Sequence, residues 1–98
     1  MIVPKEIVKI EGFSLLCKFN NGELRELDVK KVLAHKEDDE YVNRILTPTV
    51  FPSVKIGEIG QLLWENVARM QDYDGKWIPC EYDMSPEFVY HNSTVVRS

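Results

Sequence analysis

An α+β fold, mostly antiparallel sheet built from hairpins with two or three short helices packed on it, is predicted by three features of the sequence. Apolar and polar residues alternate through residues 13–19 and run into Asn20-Asn21-Gly22, the strongest short hairpin signal. Asp28 follows the return strand and has the character of a helix N-cap. Ser85-Pro86-Glu87 starts another helix late in the chain, with Ser85 as cap and Pro86 at the first helical position.

Taken in order, residues 6–10 are the first strand, turned at Glu11-Gly12 into a second that shows Phe13, Leu15, Cys17 and Phe19 on one face. Leu16 breaks that alternation. Two registers are open for the return strand. A two-residue turn at Asn21-Gly22 sets Cys17 opposite Glu26 and Leu15 opposite Asp28, which draws carboxylates onto the apolar face. A three-residue loop, with Gly22 left-handed in a bulge, sets Leu15 opposite Leu27 and Phe13 opposite Val29. The second is preferred, because a one-residue slip moves a whole hydrophobic set to the wrong side.

Asp28 then caps a short helix with Val29, Val32 and Leu33 on one face. A second helix starts within Glu37-Asp38-Asp39-Glu40, where carboxylates complement the helix dipole, presents Val42, Ile45 and Leu46, and stops before Pro48. Residues 51–56 and 61–64 form a further antiparallel pair, turning near Glu58-Ile59-Gly60. The pattern blurs over 65–75, which reads as a helical turn and a surface loop ending at Asp74-Gly75. Residues 76–82 form a last strand that Pro79 confines to a sheet edge. The helix capped by Ser85 runs through Tyr90, and the tail 93–98 is expected to fray.

The order of these motifs resembles a known family. Phe19-Asn20-Asn21-Gly22, Leu27-Asp28-Val29, Phe51 with Val54 and Ile56, Gly60 followed by Trp64, and Asp83 with Pro86 and Tyr90 are similar to the bacterial domain-of-unknown-function family 2442. The resemblance spans roughly residues 5–92, with a longer segment between Trp64 and Asp83 than the family carries. It implies a small α+β domain, found alone or joined to a helix-turn-helix domain and sometimes encoded beside a toxin-like partner. It supplies no catalytic residue.

Ninety-eight residues make one domain, 1–98, with its core in about 5–92, large enough to fold without staples. With 44% hydrophobic and 29% charged residues, and no apolar run of membrane-spanning or signal-peptide length, a cytoplasmic location is the default. Cys17 and Cys80 lack paired spacing and read as reduced structural thiols. Charge is uneven. Residues 1–36 hold seven Lys/Arg against five Asp/Glu, whereas 37–98 hold five against eleven.

Nothing in the sequence assembles a catalytic constellation, a metal site or a cofactor loop. His35 and His91 sit near helix ends, without partners at ligand spacing. Asp38, Asp39 and Glu40 point in different directions on a helix and do not follow a calcium-loop pattern. Asp72 and Asp74 beside Gly75 read as a solvated turn rather than a carboxylate pair. Cys80, between Pro79 and Glu81, is in a setting unsuited to a nucleophile, so a Cys80–His91 pair is set aside.

The aromatic residues are more informative. Trp64, Tyr73, Trp77, Tyr82, Phe88 and Tyr90 crowd the late part of the chain. Trp64, Tyr82, Phe88 and Tyr90 are expected in the core, whereas Tyr73 and Trp77 flank a polar turn and stay partly exposed. Their acidic surroundings repel phosphate, so direct nucleic-acid contact is disfavoured. Asp72, Tyr73, Asp74 and Trp77 on or beside the edge strand are therefore the candidate surface for a basic protein partner or for self-association. Of three function classes, a protein-interaction module, as in a toxin–antitoxin-like pair, comes first. A regulatory domain acting on DNA through a partner comes second, and an enzyme last.

Overall fold

In the computed structural model, which describes residues 1–97, the chain runs β1 (Pro4–Glu11), β2 (Ser14–Phe19), β3 (Leu24–Asp28), α1 (Val29–Val32), α2 (Glu40–Ile45), β4 (Lys55–Ile56), β5 (Leu62–Gln71), β6 (Trp77–Met84), α3 (Pro86–Asn92) and β7 (Thr94–Arg97). Two antiparallel sheets result, one ordered β1-β2-β3-β7 and the other β4-β5-β6. The α+β class read from the sequence is the class observed.

One loop chemistry closes three of the hairpins. Gly22 N–H donates to Phe19 O at 3.0 Å and Phe19 N–H to Glu23 O at 2.9 Å, the pattern of a three-residue loop with a bulge. Gly22 has φ +89°, a conformation in which a Cβ is strained. Leu15 lies opposite Leu27, and Cys17 opposite Arg25 rather than Glu26, so the three-residue register holds. The same pair of bonds recurs at 57–61 around Gly60 and at 72–76 around Gly75, both with positive φ.

The helix starts follow their caps. Asp28 Oδ1 accepts from Lys31 N–H at 3.1 Å, and Asp39 Oδ1 from Tyr41 and Val42 N–H at 2.8 and 3.2 Å. Ser85 Oγ accepts from Phe88 N–H at 3.2 Å, with Pro86 opening α3. The core gathers Leu15, Phe19 and Leu27 from the first sheet, Val42 and Ile45 from α2, Leu62, Trp64 and Met84 from the second sheet, and Val89 from α3. An aromatic row crosses it, Phe13 to Phe51 at 5.4 Å between ring centroids, Phe51 to Trp64 at 5.8 Å and Trp64 to Tyr82 at 6.2 Å. Trp64 Nε1–H donates to Phe51 O at 3.0 Å, so the one polar group of the buried indole is satisfied.

Three expectations are corrected. Residues 51–53 form a 3-10 turn rather than a strand, since Pro52 cannot donate to a ladder and Ser53 N–H bonds Val50 O; only Lys55 and Ile56 pair with β5. Residues 65–71 are strand and not a helical turn. The alternation is lost in the sequence because β5 bulges between Trp64 and Ala68, with Asn66 at φ +60°. The third correction concerns the tail expected to fray: Thr94–Arg97 form β7 on the edge of the first sheet.

Arg25 explains that strand. Its guanidinium donates to Ser93 Oγ and Ser93 O, both at 2.8 Å, and to Tyr90 O at 3.1 Å, and it lies 4.2 Å over the Tyr90 ring. Tyr90 O–H in turn donates to Glu23 Oε1 at 2.7 Å. That bond, with help from Asn21 and Arg25, holds the Glu23 carboxyl below the usual carboxylate range, and it raises the Tyr90 hydroxyl. A depressed carboxyl stabilises above its unfolded pKa and loses that contribution as pH falls through the folded value. A raised hydroxyl stabilises below its unfolded pKa and loses its contribution as pH rises through the folded value. Tyr90→Phe should therefore lower Tm at neutral pH and flatten both the acid and the alkaline limb of a Tm–pH curve. Unchanged limbs would show that this bond does not carry the dependence.

Candidate functional site

β5 and β6 outrun the body of the protein. Every residue in 69–79 is exposed except Asp72, and the molecule measures 49 × 25 × 22 Å. The side chains of the two strands alternate between faces. On the core face, exposure rises along β6 from buried Met84 through half-buried Tyr82 and Cys80 to exposed Ile78. On β5 it rises from Trp64 through Ala68 to exposed Met70. Met70 and Ile78 lie directly opposite each other, so the apolar face of the second sheet continues past the last residue that covers it.

The base of this arm is fixed by α2. Arg44, whose acidic i−4 neighbour Glu40 pairs with it, donates to Val67 O at 2.8 Å and so satisfies a carbonyl that the bulge frees from the ladder. At the tip, Asp72 Oδ1 accepts from Asp74 N–H at 2.9 Å and from Lys76 N–H at 3.0 Å, which makes Asp72 the organiser of its own loop. Tyr73 is fully exposed and Trp77 is 63% exposed, Trp77 lying on the opposite face of the arm from Ile78. The structure thus brings Asp72, Tyr73, Asp74 and Trp77 together on one projecting hairpin.

β6 is also an edge strand, since the sheet order ends with it. Asp72 N–H bonds Lys76 O, which makes residues 72 and 76 a hydrogen-bonded pair. By alternation Ile78, Cys80 and Tyr82 turn their backbone toward β5, while Trp77, Pro79, Glu81 and Asp83 turn theirs outward. Pro79 therefore sits where its missing N–H costs the sheet nothing. Among the described residues Asp74, Glu81 and Asp83 make no ion pair, whereas Glu65 is paired with Lys55.

A pocket of about 310 Å³ opens beside the far end of that edge. Leu33, Met84 and Phe88 supply its apolar lining, Tyr82 and Asp83 one side, and His35 and Lys36 another. Burial, reinforced by the carboxylates of Asp39 and Asp83, holds the Tyr82 hydroxyl above its usual range. Cys80 lies elsewhere, in a shallow hollow with Glu65, Asn66 and Glu81, and His91 is exposed on the last turn of α3. Burial pushes the Cys17 thiol up to about 11, consistent with an inert core residue. Among the described residues no group of three or more His, Cys, Asp or Glu is placed to hold a metal ion. Nor is any helix there long and apolar enough to cross a membrane.

Sequence reasoning placed Trp77 and the loop but missed Met70, Ile78 and the pocket. The alternation of Ile78, Cys80, Tyr82 and Met84 was visible in the sequence and marks their common face. Met70 was hidden by the bulge at Asn66. Comparison of the chain with protein-family models, curated proteins and solved structures finds no match.

Proposed function

We propose that this chain is a protein-interaction module whose working surface is the β5–β6 arm, and that it takes a basic protein partner. The projecting hairpin carries the reading. It exposes Met70, Tyr73, Trp77 and Ile78, four large apolar side chains that its own fold does not cover. Exposed aromatic side chains at one end of a projecting hairpin are anchors of the kind that dominate binding energy. Along the two strands and their loop Glu65, Asp72, Asp74, Glu81 and Asp83 outnumber Arg69 and Lys76, a balance that favours positive charge and disfavours phosphate. The resemblance to domain-of-unknown-function family 2442 makes a toxin-like protein encoded nearby the first partner to try.

The test is reconstitution from pure components, after the partner has been identified by co-purification from the cells that make this chain. The double substitution Trp77→Ala with Asp74→Lys should leave the circular dichroism and melting of the chain intact. It should weaken binding by about 100-fold, as loss of an aromatic anchor and reversal of a steering charge predict. Wild-type association should slow as salt rises. Unchanged affinity of a folded double variant would remove the arm from the interface and direct attention to the basic Lys30, Lys31 and Lys36 region.

A further inference from the structure

The geometry points to strand addition at the free edge of β6 as the mode of capture, with an extended segment of the partner that alternates basic and apolar residues. This inference rests on the interaction reading above and adds how the partner is held.

Three observations meet along one line. The outward backbone groups of Trp77, Glu81 and Asp83 are free to extend the ladder, because β6 pairs with β5 alone. A strand laid there places alternate side chains on the two faces of the sheet. On the outer face its neighbours are Glu81 and Asp83, carboxylates without an ion pair, so basic residues fit there. On the core face its neighbours are Ile78, Cys80 and Tyr82. The pocket of about 310 Å³ opens at the end of the same edge, with Leu33, Met84 and Phe88 as its apolar lining and His35 and Lys36 beside them, and offers a place for one apolar side chain. Main-chain bonds then give affinity, and the pocket and carboxylates give register.

The other edges lack this combination. β1 is broken by two register shifts and carries Lys5, Glu6, Lys9 and Glu11, charges of both signs that guard it. β7 offers four residues and β4 two. Pro79 limits an added strand on β6 to the segments either side of it, and the segment at Glu81 and Asp83 is the one beside the pocket.

The probe is a phage-displayed library of random short peptides, selected on the wild-type chain. Enriched peptides should show the alternation, basic at every second position with one apolar anchor. On binding, hydrogen exchange should slow at the Glu81 and Asp83 amides. Glu81→Pro removes an outward N–H without breaking a β5 bond and should cost about tenfold in affinity beyond the loss from Glu81→Gln, which removes only the charge. Peptides without alternation, or exchange protection confined to other edges, would overturn strand addition, and neither result depends on the proline variant folding. A reconstituted natural partner separates the two proposals. If its binding is weakened by the Trp77/Asp74 double variant while the Glu81 and Asp83 amides stay unprotected, the interaction surface stands and strand addition fails. If the double variant binds as wild type, the surface assignment itself fails.

Discussion

Trp64→Ala is expected to lower the unfolding free energy by about 3–5 kcal/mol, the largest loss from any single substitution in the chain. Trp64 is wholly buried at the centre of the row that joins Phe13 and Phe51 to Tyr82, so its removal opens a cavity between the two sheets. The cavity is only part of the effect. Phe51 O also loses one of its two donors and keeps only Val54 N–H at 3.2 Å, so a hydrogen bond worth about 0.5–1.5 kcal/mol goes with the packing. Since domains of this size hold about 5–15 kcal/mol in total, the variant should sit near the edge of folding. Urea denaturation followed by circular dichroism is the right measurement, because the substitution removes a fluorescence reporter. The midpoint should fall with the slope unchanged. Trp64→Phe, which keeps much of the ring and loses the N–H, should fall between the two. A loss below about 1 kcal/mol for the alanine variant would mean that the aromatic row does not hold the sheets together.

Arg25→Ala comes second, at about 2–3 kcal/mol, and its effect should be local as well as global. The guanidinium is the common donor to Ser93 Oγ, Ser93 O and Tyr90 O, contacts that tie the end of α3 and the start of β7 to β3. Without it Ser93, which is 8% exposed, keeps a carbonyl with no donor, and β7, whose Val95 and Val96 are exposed, is left with its ladder to β3 alone. Hydrogen exchange should show β7 amides losing protection while β1 and β2 keep theirs. Arg25→Lys should recover only part of the loss, because a single ammonium cannot span acceptors on both Tyr90 and Ser93 while stacking on the Tyr90 ring. Native-like protection of β7 in Arg25→Ala would show that strand pairing alone suffices there.

Local chemistry was legible in the sequence wherever a residue imposes its own backbone geometry. Gly22 requires the left-handed position, Asp28 and Ser85 cap, and Pro79 excludes an interior strand, and each stands in the structure where its chemistry placed it. What escaped reading depends on contacts distant in sequence. The tail 93–97 carries no strand signal by itself, and is set beside β3 by a guanidinium 68 residues away that holds the hydroxyl and the carbonyl of Ser93. The strand over 65–71 was hidden because the two extra residues of its bulge set exposed Glu65 and Asn66 beside buried Val67 and Ala68, pairs in place of an alternation, and the carbonyl that the bulge frees is answered from a separate helix by Arg44. For the candidate site, Tyr73 and Trp77 were readable as aromatics in polar company. Met70 and Ile78 became visible only once the register of β5 and β6 showed where the covered face ends.

The pairing of β3 with β7 has a consequence for how the chain is made. Glu26 meets Thr94 and Arg25 meets Val95, whereas every other strand pair is joined by a hairpin loop of a few residues. As the polypeptide leaves the ribosome, β1, β2 and β3 can close on the timescale of hairpin formation, about 1–10 μs, long before the next residue is added. The outer side of β3 then waits, its ladder groups open, until nearly seventy further residues have been translated. During that interval the nascent sheet presents an unfinished edge to every other chain nearby, and the late arrival of Ser93 and β7 is the event that shuts it.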